Sequence, residues 1–318
     1  MKFALSLRDE LLRNIPDRWK ENFGEEFYTQ YVKLHLKLMK GRVECSGAEH
    51  KIEYMVTDQG HNEKLIFLPG FADAKENFYN AAQFLAKDCD VLVPDLPGFG
   101  RSFKHKSETY KLSNYSKWMH NFIEQTGWDQ FHLVGNSLGG AIAAELALSM
   151  PERIKSLSLV DCAAIVLQDQ PSIYQEFLNG RNVFAIATHL QFEYFLNRVC
   201  HTPPMIPPFV KEHIFRDFHQ HATWYKKIMS DLLEGIQTLN DPNVEKMALN
   251  HRLRDIKLPT MIVWGDEDTF FPPATADFVR SQIPGSVLYL LADRGHAPHI
   301  EAPYQFAQLI RKFMRRHL

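Results

Sequence analysis

Three regions far apart in this 318-residue chain carry the residue types needed for acyl transfer: a serine at 137, a cluster of acids at 266–268 and a histidine-bearing stretch after residue 291. Ser137 is the centre of Gly135-Asn136-Ser137-Leu138-Gly139. A short apolar run, Phe131-His132-Leu133-Val134, precedes it, and Gly140-Ala141-Ile142-Ala143-Ala144-Glu145-Leu146-Ala147-Leu148 follows with helical character. Strand, sharp turn and helix therefore meet at the serine, a context that holds its backbone in strain and lifts Oγ clear of the sheet. Small residues two positions to either side let the strand and helix approach that closely. A chance G-x-S-x-G in a loop is the competing explanation, and the flanking strand and helix argue against it.

A serine hydroxyl is a weak nucleophile and needs a base, a group that orients the base, and donors for the developing oxyanion. The C-terminal part of the chain supplies candidates. Residues 259–264 read as a buried strand running into Gly265-Asp266-Glu267-Asp268-Thr269. Residues 286–291 read as the next strand and lead into Ala292-Asp293-Arg294-Gly295-His296-Ala297-Pro298-His299-Ile300-Glu301. An acid and a histidine thus leave the C-terminal ends of consecutive strands, the edge at which open α/β sheets bind ligands.

Four stretches carry a resemblance to the α/β-hydrolase fold superfamily: Leu68-Pro69-Gly70-Phe71, Asp95-Leu96-Pro97-Gly98-Phe99-Gly100-Arg101-Ser102, Gly135 to Gly140, and Gly295-His296-Ala297-Pro298-His299-Ile300-Glu301-Ala302-Pro303. They occur in the superfamily's order and span the chain from about residue 50 to its end. Within the superfamily the chain is most similar to monoacylglycerol-lipase-like and bacterial esterase/lipase members, because Gly70-Phe71-Ala72-Asp73-Ala74-Lys75-Glu76-Asn77-Phe78 resembles their G-F-x-x-x-K-x-x-W segment. One position departs from them. Pro69 stands where a histidine is usual, a change that bears on loop rigidity more than on chemistry.

The resemblance implies an α/β-hydrolase fold, a mostly parallel doubly wound sheet with an inserted helical cap. It implies Ser137 as nucleophile, His296 as general base and then acid, and Asp268 as the orienting acid. The pattern W-G-x-x-D selects Asp268 over Asp266 and Glu267, with Glu267 as the fallback. Asp266 then braces the turn, and Asp293 is a turn residue. Asp161, after the strand at 156–160, is the other position at which some members carry their acid. The backbone N–H groups of Phe71 and Leu138 are the expected oxyanion donors. No cofactor and no metal are implied.

Composition agrees. At 45% hydrophobic residues the chain can bury one large core. With 36 basic against 38 acidic residues, the charge balance makes no electrostatic case for nucleic acid. Cys45, Cys89, Cys162 and Cys200 are scattered without a C-x-x-C, which suggests free thiols in a reducing compartment, the cytoplasm. The opening residues run at once into Arg8, Asp9 and Glu10, so the apolar core of a secretion signal is missing there. No apolar run approaches the length of a spanning helix.

Three parts follow along the chain. Residues 1–49 are expected to form an N-terminal helical extension, with Phe3, Leu7, Leu11 and Leu12 on one segment and Phe27, Tyr31, Leu34 and Leu38 on the next. Lys33, Lys37, Lys40 and Arg42 make the second segment basic, so peripheral contact with a membrane surface is one reading. A packed extension with a solvated lysine face is the other, and it is preferred. Residues 50–162 and 255–318 alternate strands and helices and form the core. Residues 163–254 are helical, broken at Pro203, Pro204, Pro207 and Pro208, and rich in Phe, Met, Ile and Trp; they are the expected cap.

Phe71, Phe192 and Phe209 are the expected substrate-binding residues. His201, His213, His219 and His221 lack acidic ligands at metal-like spacing. The expected substrate is a small carboxylic ester or lipid with an apolar short-to-medium acyl chain, cleaved through an acyl-enzyme. A C–C bond hydrolase of the meta-cleavage-product type is the alternative, since Asn136-Ser137 recurs in that subfamily's G-N-S-M-G-G. Those enzymes usually follow the catalytic histidine with Trp, and here Ala297-Pro298-His299 follows. Dehalogenase and epoxide-hydrolase branches use an aspartate nucleophile, which Ser137 replaces. A catalytically silent binding protein is the reading from another class, and the intact Ser–Asp–His set opposes it.

Overall fold

The structure is a computed structural model that describes residues 17–317. The apolar periodicity of Phe3, Leu7, Leu11 and Leu12 lies outside the described residues. Eight strands form one sheet: β1 (Gly41–Ser46), β2 (Ile52–Thr57), β3 (Lys64–Leu68), β4 (Asp90–Pro94), β5 (Phe131–Asn136), β6 (Ile154–Val160), β7 (Thr260–Gly265) and β8 (Val287–Leu291). Their order is β1-β2-β4-β3-β5-β6-β7-β8. β1 and β2 pair antiparallel, as do β2 and β4, and the other pairs are parallel. The helices are α1 (Asp17–Met39), α2 (Tyr79–Leu85), α3 (Leu112–Thr126), α4 (Leu138–Ser149), α5 (Ile173–Leu178), α6 (His189–Val199), α7 (Pro208–Leu232), α8 (Val244–Met247), α9 (Pro273–Gln282), α10 (Pro298–Glu301) and α11 (Pro303–Met314).

The central strands are buried on both faces, which is why they read as continuous apolar runs. Successive side chains alternate across the sheet. Ile66, Leu68, Leu133, Leu157 and Ile262 enter one core cluster with residues of α3 and α4. Leu65, Phe67, Val134, Val160 and Met261 enter the other, with α2 and α11. The sheet starts earlier than the sequence suggests. Gly41 to Ser46 belong to it as β1, in a stretch expected to be helical extension, because the alternation there is between half-buried and exposed residues and carries little apolar signal.

A buried ionic knot fixes the loop after β3 to the loop after β4. Lys75 Nζ lies 2.8 Å from Glu53 Oε1, 3.0 Å from Glu76 Oε1 and 2.9 Å from Asp95 Oδ2. Burial alone lowers the basicity of Lys75, and the Asp95 and Glu76 charges more than reverse this, so the ammonium is held in its charged form. Asp95 also accepts from the N–H groups of Lys75 and Arg101, both at 2.8 Å. The Asp95-to-Ser102 motif is therefore a loop clamp whose charges are compensated underground.

Between β6 and β7 the chain runs through α5, α6, α7 and α8 without a strand. A capping box of Thr188 and Gln191 starts α6. Pro208 sits in the first turn of α7, where its missing N–H costs nothing. α1 lies against this helical segment: Phe27 meets Phe209 edge-on with ring centres 5.1 Å apart, and Tyr28 meets His213 at 5.5 Å. On the core side His35 of α1 bonds Asn80 of α2 at 3.0 Å. No helix among the described residues is long and apolar enough to cross a membrane.

Candidate active site

β5 ends in Asn136 and α4 begins at Leu138, leaving Ser137 alone to reverse the chain. Its φ and ψ are 54° and −118°, outside the regions that L-residues adopt freely. The turn closes only because its flanks are bare. A Cβ on Gly135 would lie 2.2 Å from the Gly139 carbonyl oxygen, and one on Gly139 would lie 2.0 Å from that of Leu68. Tethers hold the strain in place: Ser137 N–H donates to Val160 O at 2.9 Å, and Ser137 O accepts from Ala163 N–H at 3.0 Å. Such strain costs on the order of 1–3 kcal/mol and persists only where its surroundings fix it.

The turn after β7 and the loop after β8 bring the acid to the histidine. Asp268 Oδ2 is 2.8 Å from His296 Nδ1. The other oxygen, Oδ1, accepts the N–H groups of Phe270 at 2.7 Å and Phe271 at 3.2 Å. The Trp264 indole donates to Phe271 O at 2.9 Å, which shows why tryptophan opens the W-G-x-x-D pattern: it ties down the turn that aims the acid. Of the neighbouring acids, Glu267 has a side chain 54% exposed that lies 4.0 Å from His201. Asp266 is exposed, with its N–H on Leu291 O. Asp293 sits in a turn with positive φ. Serine, acid and histidine are 7%, 4% and 5% exposed, dry enough to strengthen electrostatic interactions.

His296 is held from several directions. Its N–H donates to Val199 O at 2.8 Å, at the end of α6, and the Asn136 amide donates to its carbonyl at 3.1 Å. The rings of Phe270 and Phe271 pack against the imidazole at 4.8 and 5.6 Å. With Nδ1 turned to Asp268, Nε2 is the nitrogen left for a proton from a serine.

β3 and β5 are neighbours whose following loops diverge, a switch point at which an α/β sheet opens a crevice. There the loop after β3 comes against the elbow: a Cβ on Gly70 would lie 3.3 Å from the Ser137 Cβ. Phe71 follows, and Phe71, Leu138, Ser137 and His296 all line one cavity of about 340 Å³. Most of its wall is apolar, with Phe184, Phe195, Phe218, Met229 and Leu232 from the helical segment. α1 closes another side with Phe27, Tyr28 and Tyr31, beside Asn77 and Asn80. Burial pushes the Tyr31 hydroxyl up to about 12 and that of Tyr28 higher still, so both stay neutral donors.

Two expected substrate contacts are corrected. Phe192 and Phe209 are absent from the cavity wall. Phe192 is fully buried inside the helical segment, with Phe215 and Phe218 at 5.8 and 6.0 Å, and Phe209 packs on α1. Composition identifies an apolar segment but not which face of each helix looks down; one turn along α6 it is Phe195 that reaches the cavity. The α1 contribution carries no motif and is missed by sequence reasoning. The histidines of the helical segment go to separate tasks: His219 to Ile186 O, His221 to Asp217, His213 to Tyr28.

Residues 64–303 match the α/β-hydrolase fold family. Lipase 1 of Psychrobacter immobilis is 31% identical over 253 residues, 79% of this chain and 77% of that one. Monoacylglycerol lipase ABHD6 of Bos taurus is 24% identical over 264 residues, 80% and 76% of the two chains. Among solved structures, that of a membrane phospholipase A described as a bacterial virulence factor superposes with a TM-score of 0.85 at 25% identity, covering 99% of this chain and 98% of that one. The chain belongs to the α/β-hydrolase family. It is an enzyme of that family, a carboxylic ester hydrolase.

Proposed function

We propose that Ser137, His296 and Asp268 form a catalytic triad that cleaves uncharged esters with apolar short-to-medium acyl chains, monoacylglycerols among them. The observation that carries it is the Asp268–His296 pair at 2.8 Å opening, with the strained Ser137, onto one apolar cavity. Ser137 Oγ attacks the ester carbonyl as His296 Nε2 takes its proton; the same proton then goes to the departing alcohol. The tetrahedral oxyanion rests on the N–H groups of Phe71 and Leu138. Water, activated by His296 in turn, releases the acid. The helices between β6 and β7 act as a cap that roofs the cavity and excludes water from these steps.

The wall sorts the substrate. Phe184, Phe195, Phe218 and Met229 suit an acyl chain, and the neutral hydroxyls of Tyr28 and Tyr31 with Asn77 and Asn80 suit the hydroxyls of a glycerol leaving group. No lysine or arginine lines the cavity among the described residues, whereas a dienone carboxylate needs a cation to receive it; this favours the ester over the C–C substrate. Each buried methylene contributes roughly 0.8 kcal/mol, so kcat/KM on a p-nitrophenyl ester series from C2 to C16 is expected to climb until the cavity is full and then fall. Phe195→Ala is expected to move that optimum to longer chains with little change on the acetyl ester. Phe192→Ala is expected to lower the melting temperature and leave the optimum in place. A flat profile, or turnover confined to a meta-cleavage diketone, overturns this assignment.

Contact with a membrane surface fits the cavity mouth. Phe27 and Met205 line the cavity and are still 45% and 92% exposed, and the exposed Leu34 and Leu38 continue the apolar surface along α1 beside Lys33 and Lys37. Co-flotation with anionic phospholipid vesicles is expected, weakened by the pair Leu34→Glu and Leu38→Glu. Equal flotation of the variant rules α1 out as the contact.

A further inference from the structure

Asp161 is a buried acid that the triad chemistry does not use. It follows β6 at a positive φ of 43°, a conformation that Asp and Asn tolerate better than most residues. It is fully buried. Its N–H donates to Val263 O at 3.0 Å, and its Oδ1 accepts the Gly265 N–H at 2.9 Å, on the strand that delivers Asp268. No donor faces Oδ2 among the described residues, and the side chain is placed for a hydrogen bond with Asp268 if one of the two acids carries a proton. Carboxylate oxygens of Asp161 and Asp268 and a ring nitrogen of His296 lie within 4.8 Å of one another.

Two carboxylates this close in a dry site cannot both be ionised, so one keeps a proton. The protein's bonds decide which. Asp268 has both oxygens engaged by donors, Oδ1 by two backbone N–H groups and Oδ2 by the imidazole, which stabilises its anion. Asp161 has one backbone donor and a bare oxygen, which is a poor seat for charge. Burial first, and the Asp268 charge second, hold the Asp161 carboxyl well above the ordinary carboxylate range. Of the other groups here, Glu301 is a like charge that adds to the same rise, Cys162 is a neutral thiol raised by burial, and the rings of Phe270 and Phe271 against His296 carry no charge.

We propose that Asp161 is a positioning residue of the triad: a neutral carboxyl paired with Asp268 that keeps the negative charge on the oxygen facing His296. The inference rests on the triad proposed above. Its proton sits on the otherwise bare Oδ2 and points at the Asp268 carboxylate, while Oδ1 braces the β7 turn. An asparagine reproduces both contacts, with its amide N–H replacing the carboxyl O–H. A glycine reproduces neither but accepts the backbone conformation.

The test is the pH profile of kcat/KM on a soluble ester, whose acidic limb reports deprotonation of the base. Asp161→Asn exchanges neutral for neutral and is expected to leave kcat within about twofold and the limb in place. Asp161→Gly is expected to lower kcat roughly tenfold to a hundredfold, with KM little changed, as the orienting acid loses a charge-facing donor. Were Asp161 an anion in the wild type, Asp161→Asn would remove negative charge beside the imidazolium and move the limb to lower pH; that result overturns the proposal. So does an unchanged kcat and limb in Asp161→Gly, which leaves only a structural brace.

Stability gives a second readout. A carboxyl raised in the folded state loses stability as pH climbs from its unfolded value towards the folded one. The melting temperature of Asp161→Asn is therefore expected to gain on wild type as pH rises from 4 to 8, and a constant difference counts against the proposal. Failure of the triad itself would show instead as full activity in Ser137→Ala, whatever the Asp161 variants do.

Discussion

Ser137→Ala is expected to reduce kcat/KM on its best ester by about five to six orders of magnitude while the protein stays folded. In the proposed mechanism the Ser137 alcohol oxygen is the atom that becomes acylated, and the Cys200 thiol that also lines the cavity is held protonated by burial. His296, the proposed base, remains in the variant but loses the hydroxyl it would activate. Residual turnover should come only from the oxyanion donors and from binding, which hold a water molecule poorly for attack. Reaction with a fluorophosphonate, read by intact mass, should disappear with the activity. A labelled Ser137→Ala protein would assign the nucleophile elsewhere. Ser137→Gly separates the roles further. At φ 54° and ψ −118° glycine is relaxed where serine is strained, so the melting temperature should rise as the activity vanishes, with a gain of about 1 kcal/mol. A melting temperature below that of wild type would mean that the elbow stores no strain.

The sheet and the elbow were legible in the sequence because close packing leaves marks in residue type. Glycine at 135 and 139, apolar runs in the buried strands, and tryptophan before the acid turn all answer to contacts a few ångströms long. The parallel strands from β3 to β8 were visible for the same reason. β1 was not: it lies at the sheet edge, half exposed, and its alternation Gly-Arg-Val-Glu-Cys-Ser carries almost no apolar contrast. The cavity wall was legible as composition only. Phe192 and Phe195 both sit on α6, three residues apart, and the docking of that helix decides which of them faces the cavity. The same holds for Tyr28 and Tyr31, which reach the cavity because α1 folds back across α7. Asp161 was visible as an acid at a strand end, yet its distance from Asp268 depends on the register between β6 and β7, a property of the assembled sheet.

The acid position yields the other large effect. Asp268→Asn is expected to lower kcat about 10⁴-fold, for a reason set by the backbone around it. Oδ1 is fixed by the N–H groups of Phe270 and Phe271, so an asparagine must keep its carbonyl oxygen there. Its NH₂ then faces His296 Nδ1 in place of a carboxylate oxygen. Two donors cannot face each other, so the imidazole must carry its proton on Nε2, the nitrogen that has to accept from Ser137. The substitution therefore imposes the wrong tautomer as well as removing the charge that stabilises the imidazolium. Binding is untouched by either change, which predicts a fall in kcat with KM nearly constant. Glu267→Gln is the control, since that side chain is exposed and faces away towards His201; it should stay within about twofold of wild type. Activity kept by Asp268→Asn and lost by Glu267→Gln would place the orienting acid one residue earlier. With both variants near wild type, His296 would need no acid of its own in this turn, and Asp161 would become the carboxyl to test.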